Sequence, residues 1–187
     1  MNSETLLHVA HKIEEVVDSQ IDTVDNLEED ELREIRRRRV DQLKSMQKRR
    51  ADWARKGHGQ YNEILSSQDF FNVCKDNERV VVHFYRTSTE RCQILHSHLE
   101  KISGKHFETY FGKVNVEKVV GLAEHFNVIL LPTVMLIEKA KTLHSLIGFD
   151  ELGGTDSFST EKLAHFLGDH GLINLDGMFA ADQTATL

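Results

Sequence analysis

Residues 79–92 read RVVVHFYRTSTERC. The first seven, Arg79 to Tyr85, form a near-continuous apolar run, the pattern of a central strand covered on both sides. Thr87 with Glu90 reads as a capping box that opens a helix. Cys92, Leu95, Leu99 and Ile102 then fall on one face of that helix. A buried strand running straight into an amphipathic helix is the start of an α/β domain.

The neighbouring elements extend this pattern in both directions. Tyr61 to Leu65 is a short strand, and Ser66 or Ser67 caps a helix with Phe70, Phe71, Val73 and Cys74 on its apolar side. Phe111 to Val116 is a strand and Val119 to Phe126 a short helix. Pro132 precedes a strand over Thr133 to Ile137, with Leu143 to Phe149 as its hairpin partner. Ser159 caps a last helix that turns Leu163, Phe166 and Leu167 inward. The order β-α-β-α-β-α-β-β-α requires a parallel sheet with helices on both faces and a final antiparallel hairpin. Gly153 and Gly154 form the loop before the last helix.

The chain has 187 residues, 40% of them hydrophobic. That allows one ordinary domain of roughly 150 residues with an appendage. No run approaches the ~18 apolar residues of a membrane span, and the first residues lack the pattern of a secretory signal. The two cysteines, Cys74 and Cys92, fit a reducing compartment, so a cytoplasmic location is expected, with a nuclear one as the alternative.

Charge is unevenly spread. Residues 1–31 carry ten acids and one base, residues 32–56 three acids and eleven bases, and the remainder is mildly acidic, for a net charge of −7. This layout describes an arm that contacts something, and it argues against a nucleic-acid binder. Leu6, Val9, Ile13, Val16, Val17, Ile21 and Val24 make a narrow helical stripe. A pause is expected near Asp25 and Asn26, because Asn26 followed by Glu29 reads as a fresh N-cap. The next helix runs from about Leu27 to Lys56, with acids at its start, bases at its end and Gly57 as its C′ residue. A strict heptad from Leu32 and Ile35 meets Arg39 and Gln42, which disfavours a homomeric coiled coil. A solvated face is the default for Arg36 to Arg39, ahead of nuclear import or RNA binding. The functional alternative is a partner-docking helix contacting through Arg36, Arg37, Arg38, Arg39, Arg49 and Arg50. Gly57 and Gly59 read as a flexible hinge. The divisions are therefore an amphipathic helix over 1–25, a charged helix and hinge over 26–60, an α/β domain over 61–172, and a disordered tail over 173–187.

The element order, with a lone proline before the penultimate strand, resembles the thioredoxin fold. The resemblance is sharper to one branch of the phosducin-like family. It is carried by GHGQY at 57–61, HFYR at 83–86 with Cys92, KVNVEK at 113–118, GFDELGGTD at 148–156 and FST at 158–160. In that alignment the redox motif Cys-x-x-Cys becomes Thr89-Glu90-Arg91-Cys92. Disulfide chemistry needs an activated thiolate at a helix N-terminus and a second thiol to resolve the mixed disulfide. Thr89 cannot supply the first, and Cys92 stands at the resolving position. The aromatic residue expected before the motif is Ser88, and the buried acid of thioredoxin aligns with His83. Thr89, Cys92 and Pro132 are thus a vestigial redox site, and no enzymatic activity is expected. The Leu131–Pro132 bond is cis by resemblance, and the groove beside it persists as a peptide-binding surface.

No metal or cofactor is expected. His8 and His11 share a helix face, while His96 and His98 point apart, and no four-ligand set exists. Gly104-Lys105 lacks the rest of a phosphate-binding loop. The resemblance implies a co-chaperone that binds the cytosolic chaperonin CCT/TRiC and modulates folding of clients such as tubulin and actin, which would connect it to the microtubule cytoskeleton. The alternatives are a G-protein βγ adaptor and a thiol redox protein using Cys92. Neither a nucleic-acid nor a membrane partner is expected.

Overall fold

The computed structural model describes residues 3–175, with side chains from residue 29 onward. The described chain opens with helix α1 (Ser3–Arg55) and continues through β1 (Tyr61–Glu63), α2 (Ser67–Asp76), β2 (Arg79–Tyr85) and α3 (Glu90–Ser103). Then come β3 (Tyr110–Asn115), α4 (Val120–His125), β4 (Thr133–Glu138), β5 (Lys141–Ile147), a 3-10 turn (Asp150–Leu152) and α5 (Thr160–Asp169).

The expected pause at Asp25 and Asn26 is absent, and α1 is continuous through it. Asp and Asn each cost only about half a kcal/mol in a helix interior, and neither glycine nor proline stands there to enforce a break. The apolar stripe from Leu6 to Val24, with His8 and His11, lies outside the described side chains, and the tail from 176 to 187 lies outside the described residues. Compactness divides the chain into Met1–Arg49 and Arg50–Leu187. That division falls ahead of Gly57, so the last turns of α1 belong to the body.

In the body, the five strands run β1-β3-β2-β4-β5. β1, β3 and β2 are parallel, with Val80 beside Tyr110 and Tyr85 beside Asn115. β4 is antiparallel to β2 and to β5. Because β2 alternates, Val81 and His83 face α3 and α5, while Val80, Val82 and Phe84 face α2 and α4. Two cores result. Leu95, Leu99, Phe111, Leu136, Leu163 and Leu167 fill one side, and Phe70, Cys74, Phe84, Val114, Leu122 and Met135 fill the other. The body also runs past 172, since Ile173 is buried in the first core.

Two of the expected helix caps form. Ser66 caps α2 by accepting the Asp69 N–H at 3.1 Å. Ser159 does the same for α5 from Lys162 at 3.2 Å. The Thr87–Glu90 capping box does not form. The N-cap of α3 is Thr89, with no side-chain capping bond. Thr87 instead sits in the preceding turn, where its carbonyl accepts from Gln93.

Candidate functional site

Two places gather the residues singled out by the sequence: the end of the sheet where α3 begins, and the arm with its junction to the body.

At the first, Thr89 opens α3 and Cys92 lies one turn in, 1% exposed. Burial pushes the Cys92 thiol above its usual pKa, against the opposing pull of the Arg86 backbone and the Thr89 hydroxyl. Cys74 is buried in the opposite core, where burial pushes it up to about 11. The two thiols therefore lie on different faces of the sheet, and neither is a ready thiolate at neutral pH. The Leu131–Pro132 bond is cis. Beside it runs a groove of about 330 Å³ lined by Arg86, Val116, Val120, Glu124, Val128 and Leu131. Ile129 and Leu130 on the adjoining loop are 78% and 62% exposed. The structure thus brings Cys92 and Thr89 together on α3, with a groove of mixed polar and apolar lining beside Leu131 and neither cysteine an activated nucleophile.

Beneath this end lies a polar cluster that local sequence did not announce. His83 is fully buried, and the Tyr61 hydroxyl shares a hydrogen bond of 2.6 Å with His83 Nδ1, the two rings stacked. Among the described residues His83 Nε2 has no hydrogen-bond partner. Burial, then His96 and Lys113, push the His83 pKa down to about 3. Where thioredoxin would keep an acid, this chain keeps a neutral imidazole. Lys113 lies 3.3 Å from His96 Nε2 and over the Tyr61 ring at 5.2 Å. Tyr61 and His83 are 22 residues apart, and only the β1-β3-β2 pairing brings them together.

At the junction, α1 ends in a Schellman motif. Gly57 N–H donates to the Ala54 carbonyl and His58 N–H to the Trp53 carbonyl, with Gly57 at φ +88°. His58 is 4% exposed and stacked on Trp53. Its Nδ1 donates to the Phe107 carbonyl at 2.7 Å, and its Nε2 lies 2.8 Å from Asn77 Oδ1. Burial lowers the His58 pKa against the pull of these two acceptors. Gly59, at φ +80°, leaves no room for a methyl group, since a Cβ there would sit 2.4 Å from the Phe107 ring. Arg50 lies 4.4 Å over that same ring, and Lys56 Nζ donates to the Asp76 carbonyl at 2.6 Å. The expected free hinge is therefore a fixed turn. Gly57 and Gly59 are required by backbone sign and close approach, while His58 fastens the helix end to the body.

The six arginines expected to contact a partner occupy different settings. Arg38 pairs with Glu34 at 2.7 Å, both well exposed, and Arg50 is spent on Phe107. Arg36, Arg37, Arg39 and Arg49 are exposed. Among the described residues no three His, Cys, Asp or Glu side chains could hold a metal, and no helix is long and apolar enough to cross a membrane.

The thioredoxin family model matches residues 62–158. Human thioredoxin domain-containing protein 9 is 44% identical over 172 residues, covering 92% of this chain and 76% of the relative. Phosducin-like protein 3 of Drosophila melanogaster is 38% identical, covering 92% of this chain and 80% of the relative. Among solved structures, a mutant thioredoxin from Halobacterium salinarum superposes with a TM-score of 0.53 at 18% identity, over 63% of this chain and 94% of that one. At that identity the likeness concerns the fold alone.

Proposed function

The chain belongs to the family of thioredoxin domain-containing protein 9 and phosducin-like protein 3, and we propose that it is a redox-inactive co-chaperone that binds the cytosolic chaperonin CCT/TRiC. The observation that carries the non-enzymatic half is Cys92: buried, raised in pKa, preceded by Thr89 where a nucleophilic thiolate would stand, and across the sheet from the other thiol. A domain that keeps the fold and the groove but lacks the reactive pair has surfaces to offer rather than a reaction. The chaperonin half rests on the phosducin-like resemblance, which also suggests tubulin and actin as clients and the cytoplasm as the place of work. The arm supplies the first contact, through its exposed arginines. The groove at Pro132, rimmed by Ile129 and Leu130, supplies the second, for an extended apolar segment. Two contacts in one chain raise the effective concentration of each.

Size-exclusion co-elution of the full chain with purified chaperonin tests this reading. Co-elution that weakens, and loses salt dependence, when Arg36 to Arg39 are replaced by Gln is the expected result. Absence of co-elution by the wild-type chain defeats the chaperonin assignment, and capture by purified G-protein βγ instead would replace it with the adaptor alternative.

A further inference from the structure

The described arm leaves one face without a partner. Leu32, Ile35, Val40 and Leu43 are 51%, 57%, 47% and 62% exposed. At 3.6 residues per turn, these four together with Met46, Arg36 and Arg39 fall within an arc of about 140°. Arg36 and Arg39 sit near its centre, between the apolar side chains. Arg37, Arg38, Arg49, Lys44 and Lys48 lie outside it. Among the described residues no carboxylate pairs with Arg36 or Arg39, whereas Arg33 is taken by Glu29 and Asp30, and Arg38 by Glu34. Residues 35–49 carry seven bases and one acid.

We propose that this face is the docking surface of the arm, and that it seats in a protein groove with an apolar floor and carboxylates set to meet Arg36 and Arg39. The inference rests on the chaperonin reading, and places that groove on the chaperonin.

Three other occupants fit the face less well. A second copy would set residues 36–39 against residues 36–39, whether the helices pair in parallel register or antiparallel about the middle of the stripe. Arg36 and Arg39 of one copy would then meet Arg36 and Arg39 of the other. An anionic bilayer favours bases at the edges of an unbroken apolar face, but here two arginines interrupt the centre and Glu29, Asp30, Glu31 and Glu34 crowd the start. A nucleic acid would engage the bases and leave Leu32, Ile35, Val40 and Leu43 in water. A groove that buries apolar side chains while neutralising central guanidinium groups is a protein groove, and paired arginines amid apolar contacts are a common form of binding hot spot.

The test measures affinity of the full chain for purified chaperonin in three variants, each checked for unchanged helicity by circular dichroism. Ile35→Gln with Leu43→Gln removes apolar contacts while keeping helix propensity. Arg36→Glu with Arg39→Glu reverses the central charges, and Lys44→Glu with Lys48→Glu reverses charge off the face. The expected result is a loss of about tenfold or more for each of the first two and less than about threefold for the third. Equal losses from charge reversal on and off the face, or no loss from the glutamine pair, overturn the inference while leaving the chaperonin reading intact. No binding by the wild-type chain overturns both. A dimer seen by light scattering that Ile35→Gln with Leu43→Gln dissolves, or binding of the wild type to phosphatidylserine vesicles that the same pair abolishes, reassigns the face and overturns the inference.

Discussion

The arm and the body of this chain obey different rules. In the body, side chains are fixed by what they bury. Phe84, Leu99 and Leu136 have no exposed surface, and even the polar His58 and His83 are held inside. In the described arm, residues 29–45 are all exposed. The helix there is held by propensity and by surface pairs such as Arg38–Glu34, each worth only a few tenths of a kcal/mol. A segment that buries so little of its own apolar surface is not spending it on its own fold. The contrast assigns stability to the body and leaves the apolar face of the arm free for the recognition proposed above.

That contrast can be broken or sharpened experimentally. Phe84→Ala should cost about 3–5 kcal/mol of unfolding free energy in urea titration. Leu43→Ala on the arm should change it by less than about half a kcal/mol, and a comparable loss from both would erase the distinction. Next in size is Gly59→Ala, where the added methyl meets the Phe107 ring and the backbone must keep φ +80°. The expected cost is about 2–3 kcal/mol, and a neutral result would restore the free hinge.

The pH dependence of stability follows from His83. Its folded pKa of about 3 lies below its ordinary 6.5, so the unfolded chain takes up a proton between these values and the folded chain does not. Stability is complete above about pH 6.5 and falls as the pH drops toward 3, by up to about 1.4 kcal/mol per pH unit from this group. His58 and His96, also lowered by burial, act in the same direction. Urea titrations at several pH values should show that limb, and His83→Phe should flatten it. Smallest of all, Glu34→Gln should cost no more than about 0.5 kcal/mol.

Most of the body was legible in the sequence because its signals were local. The run from Arg79 to Tyr85, the face of Cys92, Leu95, Leu99 and Ile102, and the Ser66 and Ser159 caps each depend on neighbours within a few residues. What escaped depends on distance along the chain. His58 meets Phe107 across 49 residues and Tyr61 meets His83 across 22, and no local pattern announces either pair. The glycines at 57 and 59 were visible, but from two glycines alone a fixed turn and a loose joint look alike. The Thr87–Glu90 box failed for a related reason: the turn before α3 moved the helix start to Thr89. At the candidate site the absence of a thiol at the first motif position was readable from Thr89. The neutral, buried state of His83 and the raised thiol of Cys92 required the packing around them.

The central claim is that this fold acts by binding and not by thiol exchange. Catalysed reduction of insulin disulfides by the full chain, with dithiothreitol as the electron source, tests it most directly. The account predicts no turnover above the uncatalysed rate, and no difference between wild type and Cys92→Ser. Turnover that Cys92→Ser abolishes would contradict it.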